Sequence, residues 1–223
     1  MKVGYYLVIP FFLSVVFSAL LLPSCALFCR RAKLGRLSGS MNGVPLVLAV
    51  LLSLLVMMIC LPPVSRLIVF PLELLAGLII VFILGMVCDV DGLSLWLRVV
   101  VLLLASLAFP LSQVAPAGIS GAVLMVGLVA GCCMSVSLIE RLFGRGCELL
   151  LVILSIFLLS LLRLQDWGCV VLAAVQCGAL LVLLAVKWHC WRARRERIYL
   201  GECGSLTMTF LLCAEYVRIF LAA

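Results

Sequence analysis

The chain has 223 residues, of which 67% are hydrophobic and 11% charged, and its mean hydropathy is +1.43. A typical soluble domain has about 45–50% apolar and about 25% charged residues, so the composition excludes a soluble globular protein and indicates a chain that lies in a lipid bilayer. The net charge of +7 is spread over short clusters between apolar segments. Such clusters are typical of membrane topology signals, and we expect no binding to nucleic acid.

Apolar runs of at least about 17 residues, bounded by charged residues, Pro or Gly, predict transmembrane helices. Eight such runs follow one another with short connections, so we expect a single transmembrane domain over residues 1–223. The predicted fold is an all-α, polytopic membrane helix bundle with helices near 4–24, 44–62, 67–88, 95–112, 117–138, 148–163, 168–188 and 203–221. Because little of the chain remains outside these helices, any chemistry must lie in loops and at helix ends.

The basic residues predict the orientation of this bundle. The first connection (29–43) and the seventh (187–198) carry the densest clusters of Lys and Arg, and an alternating path through eight helices puts both on one side of the membrane. Cytoplasmic loops are enriched in Lys and Arg. We therefore predict that this side is cytoplasmic and that the N-terminus lies outside.

The fifth predicted helix is rich in small residues, including a GxxxG pattern at Gly127 and Gly131. Small residues let helices approach closely in lipid. Two interpretations are open: a tightly packed central helix within this bundle, which we favour, and the interface of a homodimer.

Several carboxylates fall at cytoplasmic helix ends in this topology, namely Asp89, Asp91, Glu140 and Glu202. Charges at membrane depth are costly and tend to mark function. Carboxylates gathered beside basic loops are suited to hold Mg²⁺ and a phosphorylated ligand, since that ion is usually held by one or two carboxylates and substrate phosphates. The alternative is that they are ordinary interfacial charges with local partners, and their positions alone favour this alternative.

Other polar residues within or beside the helices are expected to be structural. Glu215 lies three residues before Arg218, and Asp166 lies three residues after Arg163, which is a helical pairing distance. His189 is expected to lie in an interfacial aromatic belt.

Three segments resemble the signature motifs of one enzyme family. Residues 84–98, LGMVCDVDGLSLWLR, resemble the LG(L/I)xDDxxGLSxxxR signature of the polyprenyl-phosphate N-acetylhexosamine-1-phosphate transferases. Residues 197–206, RIYLGECGSL, resemble (R/K)IFxGDxGSL of the same family, and residues 136–144, VSLIERLFG, are similar to its VNLIDGLDG. All three occur in family order, each at a predicted cytoplasmic connection, so the joint match is more specific than any single motif.

The resemblance implies a protein of the bacterial inner membrane that moves a sugar-1-phosphate from a UDP-sugar to a polyprenyl phosphate and releases UMP, for cell-wall or surface-polysaccharide assembly. It implies Mg²⁺ as cofactor, the two substrates and the bilayer as partners, and a homodimer or a partner membrane subunit as an assembly. Carried over by position, it assigns metal binding to Glu202, catalysis to Asp89 and Glu140, and substrate binding to Arg197, Gly204 and Ser205.

The segments also depart from the family motifs. Cys88 replaces the first acid of the Asp pair, Arg141 replaces a Gly, and Glu140 and Glu202 are each one methylene longer than the Asp they replace. A shift of about 1 Å in a positioned group can cost on the order of 10²-fold in rate. The chain continues for about one helix after GECGSL, whereas the family has two or three more helices and a His-rich loop.

Three functions therefore remain open. The first is an active transferase, which we name as the functional class because the motifs and their order point to it. A second is a catalytically silent homologue that binds the lipid carrier, a nucleotide-sugar or a partner transferase, which the departures favour. A third is a small transporter or scaffold outside the family, which only the apolar helix bundle supports.

Overall fold

The computed structural model describes residues 4–31, 42–60, 72–108, 118–192 and 198–222. Within these ranges the chain is helical apart from short connections and contains no β-strand, which confirms the predicted all-α class. The helices are α1 (Ile9–Arg31, preceded by a π-helical turn at Gly4–Val8), α2 (Gly43–Cys60), α3 (Leu72–Asp91), α4 (Leu95–Ser106), α5 (Gly118–Phe143), α6 (Gly146–Leu164), α7 (Trp167–Arg192) and α8 (Gly201–Ala222).

Six of the described helices are long and apolar enough to cross a membrane, and they lie in α1, α2, α3, α5, α6 and α7. The chain is therefore a multi-pass membrane protein, as the composition predicts. The 12 residues of α4 extend about 18 Å at about 1.5 Å per residue, which is shorter than a hydrocarbon core of about 30 Å. The helix α8 is not among the six, and it carries Glu202 and Glu215.

Two helices form the interior of the bundle. Residues 168–180 of α7 are all buried, because α1, α2 and α6 pack around this helix. Residues 201–211 of α8 are likewise all buried, under α2, α3 and α5. A helix that is apolar on all sides is expected in the core of a bundle, and the outer helices present their remaining apolar side chains to lipid.

The glycine pattern of α5 lies on the outside of the bundle. Gly127 and Gly131 are exposed, and a Cβ added at either would meet no atom of the described residues within 4 Å. The packing of α5 against α8 instead uses its opposite side, where Cys133 and Val136 are buried. The expectation that this GxxxG pattern packs tightly within the bundle is therefore wrong, and the homodimer interpretation stays a prediction.

Consecutive helices alternate in direction, and one end of the bundle collects the three motif segments. We call this end the motif pole; it contains the first residues of α2, α4, α6 and α8 and the last residues of α3, α5 and α7. Asn42 Nδ2 donates to the Tyr199 carbonyl at 3.3 Å there. At the opposite pole the rings of Tyr6 and Trp167 lie 5.5 Å apart, which joins the start of α1 to the start of α7.

Four helices extend three or more residues past their predicted ends, and among them are α3, which ends at Asp91, and α7, which ends at Arg192. The helix α1 continues through Pro23 to Arg31 and does not end near residue 24. The helix α5 continues to Phe143 and not to residue 138, so Glu140 lies in its last turn and not in the connection. The predicted segments 67–71 and 109–112 lie outside the described residues.

Candidate functional site

Asp89 joins the end of α3 to the beginning of α8. Its Oδ1 accepts a hydrogen bond from the Glu202 backbone N–H at 2.8 Å, and its Oδ2 accepts one from the Cys203 N–H at 3.0 Å. The first N–H groups of a helix have no partner within the helix, and the positive end of the helix dipole favours a carboxylate there. Asp89 therefore acts as a cap for α8 that is supplied by another helix.

Gly85, one turn before Asp89, allows this close approach. A Cβ at position 85 would lie 2.9 Å from the Cys203 nitrogen and 3.2 Å from the Glu202 carbonyl carbon. Both are backbone atoms, which cannot move aside as the end of a flexible side chain does. The contact between α3 and α8 thus depends on the absence of a side chain at residue 85.

Glu202, the predicted metal ligand, is paired with Arg98 near the start of α4. The Arg98 Nη1 lies 2.5 Å from both carboxylate oxygens of Glu202, and its Nε donates to the Leu93 carbonyl at 2.9 Å. The two side chains are 5% and 11% exposed. Cys88, which replaces the first acid of the motif, is buried one residue before Asp89.

Glu140, in the last turn of α5, joins two further parts of the chain. Its Oε2 accepts from the Gly146 N–H at 2.7 Å, at the start of α6, and its Oε1 accepts from the Leu200 N–H at 2.5 Å, directly before α8. The residue is 3% exposed. Both oxygens of this carboxylate are therefore bound to backbone donors of the protein, so Glu140 serves a structural role in this arrangement.

The two predicted substrate residues that the structure describes are both buried. Gly204 packs against α2, where a Cβ would lie 2.8 Å from the Gly43 Cα and 2.9 Å from the Leu200 Cγ. The Ser205 hydroxyl donates to the Glu202 carbonyl at 3.2 Å and is fully buried. These contacts explain both residues by helix packing. The third predicted substrate residue, Arg197, lies outside the described residues.

The structure thus brings the predicted acids of all three motif segments to one pole. Asp89 and Glu140 hold the same turn, residues 200–203, from its two sides, and Glu202 lies within that turn. The sequence interpretation missed the partner of Glu202, although an arginine inside an apolar helix is a signal in itself, because a buried charge in a membrane protein needs a partner.

A second ion pair supports the motif pole nearby. Lys187, in the last turns of α7, donates to Glu148 Oε1 at 2.6 Å and to the Gly144 carbonyl. Gly144 has φ +62°, and the Tyr199 ring packs against it. Lys187 therefore connects α7 to the turn between α5 and α6.

Glu215, in the interior of the bundle, accepts a hydrogen bond from a neighbouring helix. Gln176 Nε2 donates to Glu215 Oε1 between α7 and α8, and both residues are buried. The expected partner was Arg218, whose side chain lies outside the described ones. Asp166 caps α7, where its Oδ1 accepts from the Gly168 and Cys169 N–H groups at 3.1 and 3.2 Å.

The carboxylates of the motif pole do not fit Mg²⁺ as they are arranged. Both oxygens of Asp89 accept from backbone amides, and both oxygens of Glu202 face the Arg98 guanidinium. Mg²⁺ demands near-ideal octahedral oxygen ligation at about 2.0–2.1 Å, and an ion on Glu202 would lie beside a guanidinium that cannot lose its charge. Among the described residues, no group of three or more His, Cys, Asp or Glu side chains could hold a metal ion.

Comparisons of the chain with protein-family models, with curated proteins and with solved structures find no match. The fold and the contacts of the motif pole define this chain as a multi-pass helical membrane protein. Buried carboxylates and the buried Arg98 form a cluster at one end of its bundle.

Proposed function

We propose that the chain is a membrane protein of the sugar-1-phosphate transferase type that binds a polyprenyl phosphate at its motif pole without transferring a sugar phosphate to it. The observation that carries the proposal is that Asp89 and Glu140 hold the turn at residues 200–203 from both sides. The convergence of the three motif segments supports the family type. The use of their acids as hydrogen-bond acceptors within the protein supports the loss of transfer.

Phosphoryl transfer places particular demands on a site. Its catalysis is almost entirely positioning and electrostatic stabilisation of charge on the phosphoryl oxygens. Groups that do this work must reach the substrate. The Glu140 and Glu202 carboxylates are buried and already bound within the chain, so neither is available to a nucleotide-sugar in this arrangement.

A lipid phosphate matches what the motif pole exposes. Arg141, Arg145 and Arg192 are exposed at the ends of α5, α6 and α7, and they present positive charge at the level where a lipid headgroup lies. Trp188 and Trp191 are also exposed, with their rings 5.4 Å apart; aromatic residues of this kind are enriched at membrane interfaces. The apolar outer faces of the bundle suit the polyprenyl chain.

A second candidate is the active transferase, which would take a UDP-sugar and a polyprenyl phosphate and release UMP. It is favoured by one observation: segments separated by more than thirty residues in the sequence meet at one pole, where Asp89 accepts hydrogen bonds from the Glu202 and Cys203 N–H groups. In this case the chain's own part would be to orient the two phosphates against its basic connections and to exclude water.

We also propose the finer topology. All eight helices would be inserted in the bilayer of the bacterial inner membrane, with the N-terminus outside and the motif pole in the cytoplasm. The support is the positive-inside rule applied to the Lys and Arg clusters, together with the exposed arginines of the motif pole.

Lipid binding is tested with the purified full chain in nanodiscs. Native mass spectrometry with a polyprenyl phosphate, and with the matching polyprenol that lacks the phosphate, should show binding of the phosphate form only. Arg141→Glu together with Arg145→Glu should weaken binding, while Arg163→Glu, a matched exposed arginine at the opposite pole, should not. Equal binding of polyprenol and polyprenyl phosphate would contradict the proposal.

Transfer is tested separately by UMP release. Membranes that contain the chain are incubated with labelled UDP-N-acetylhexosamines, and Glu202→Gln serves as control. We expect no UMP and no lipid-linked label above this control. Release that depends on Glu202 would instead establish the active transferase.

A further inference from the structure

Two negative groups and two positive groups meet where α3, α4 and α8 join at the motif pole. Asp89 faces the first N–H groups of α8, an end that carries roughly half a positive charge. Glu202 faces the guanidinium of Arg98. Each carboxylate therefore has its own positive partner, and the cluster is close to electrically balanced before any ion is added.

The Arg98 side chain is held in place by burial and by a hydrogen bond. Arg98 is 4% exposed, and its Nε donates to the Leu93 carbonyl in the turn between α3 and α4. A single nitrogen, Nη1, lies 2.5 Å from both Glu202 oxygens, so the positive charge occupies the space in front of the carboxylate where a metal ion ligated by it would lie.

Cys88 reduces the negative charge of the same cluster. It is buried one residue before Asp89, at the position where the transferase motif has its first Asp. An acid here would be a third carboxylate beside a single guanidinium. The thiol is instead an uncharged donor, which keeps the balance of the cluster.

We propose that the Arg98 guanidinium is the resident cation of the motif pole, and that it positions Glu202 and the start of α8 without a divalent metal ion. Arg98 is thus a positioning residue. For Mg²⁺ to ligate Glu202, Arg98 would have to leave its buried partner. Breaking this pair would weaken the binding of Mg²⁺ by a factor of roughly 10²–10³ in the equilibrium constant.

The test is thermal unfolding of the purified full chain in detergent, with EDTA or with MgCl₂ at constant ionic strength. A site with a Kd of about 0.1 mM would stabilise the folded state about 100-fold at about 10 mM Mg²⁺, which raises the Tm by about 5–10 °C for a chain of this size. We expect a shift of less than about 1 °C. A rise of several degrees in the wild-type chain would overturn the proposal.

Variants test the role of Arg98 from the other direction. Arg98→Met should lower the Tm and make it rise again with MgCl₂, because Glu202 then lacks its cation; adding Cys88→Asp should enlarge this response. Arg98→Lys keeps a cation and should show little response, and Arg141→Met is the control at the same pole. An Arg98→Met chain with an unchanged Tm would refute the positioning role.

The Arg98 assignment goes beyond the proposed lipid binding, and the two can fail separately. The unfolding measurement contains no lipid phosphate, and the lipid-binding measurement contains no added metal. If Arg98→Met does not fold, the Mg²⁺ titration of the wild-type chain still decides whether the motif pole takes a divalent ion.

Discussion

Gly85→Ala should destabilise the bundle, because residue 85 is buried against backbone atoms of α8. The new Cβ would lie 2.9 Å from the Cys203 nitrogen and 3.2 Å from the Glu202 carbonyl carbon. Carbon atoms in favourable contact are about 3.5–4.0 Å apart. The Cys203 Cα would lie closer still, so the helices α3 and α8 must separate by more than about 1 Å at this point.

Two effects of Gly85→Ala lower the free energy of unfolding, and the higher helix propensity of Ala partly offsets them. Overpacking of this kind costs about 1–3 kcal/mol. The separation also lengthens the hydrogen bonds from Asp89 to Glu202 and Cys203, now 2.8 and 3.0 Å, and loss of one such charged bond costs about 1.5–3 kcal/mol. Ala is favoured over Gly in a helix by about 1 kcal/mol. The net loss is then about 2–5 kcal/mol.

The assay is thermal unfolding of detergent-purified chain, with Gly127→Ala as matched control. At about 2–4 °C per kcal/mol for a chain of this size, Gly85→Ala should lower the Tm by about 4–20 °C. A methyl group at Gly127 meets no atom of the described residues within 4 Å, so this control should keep or slightly raise the Tm. Equal melting temperatures for the two variants would refute the close α3–α8 contact.

Three further predictions address other parts of the bundle. Glu140→Gln should lower the Tm by an amount equivalent to about 1–3 kcal/mol, because its amide turns a donor toward a backbone N–H; an unchanged melting curve would contradict this. Gln176→Leu should destabilise the chain by leaving Glu215 without its donor, and Glu215→Leu in the same chain should recover stability, as a double-mutant cycle can measure; no recovery would exclude the pair. Single-cysteine chains that retain Cys60 or Cys190 should react with an impermeant maleimide from the outside only at Cys60; the reverse pattern would invert the proposed topology.

Much of the helical bundle could be predicted because each helix is a long apolar run. The ends of the helices differ from the predicted ones where a residue that usually ends a helix does not do so. Pro23 suggests a helix end, but a proline in a membrane helix is tolerated where neighbouring groups compensate for the lost backbone bond, and α1 continues to Arg31. The outward position of Gly127 and Gly131 could not be read from their spacing, because the spacing fixes which residues share a face and not what that face contacts.

The polar contacts at the motif pole were harder to predict than the position of their residues. Asp89, Glu140 and Glu202 could each be placed near one end of a helix from the alternation of the chain. Their partners are mostly backbone amides, at Leu200, Glu202 and Cys203, and a backbone donor leaves no mark in the sequence. Arg98 is the exception, because its charge shows that some acid must face it.

The position of α8 has a consequence for the order in which the bundle is made. The residues that bind Asp89, and one of the two that bind Glu140, lie at 200–203, after the other seven described helices have been synthesised. Until then, Asp89 lacks both of its backbone donors, Glu140 lacks one of its two, and Arg98 lacks its carboxylate. The growing chain must therefore keep this end of the bundle hydrated or shielded by the insertion machinery, and a stalled or truncated product that lacks α8 should be recognised as unfinished by membrane quality control.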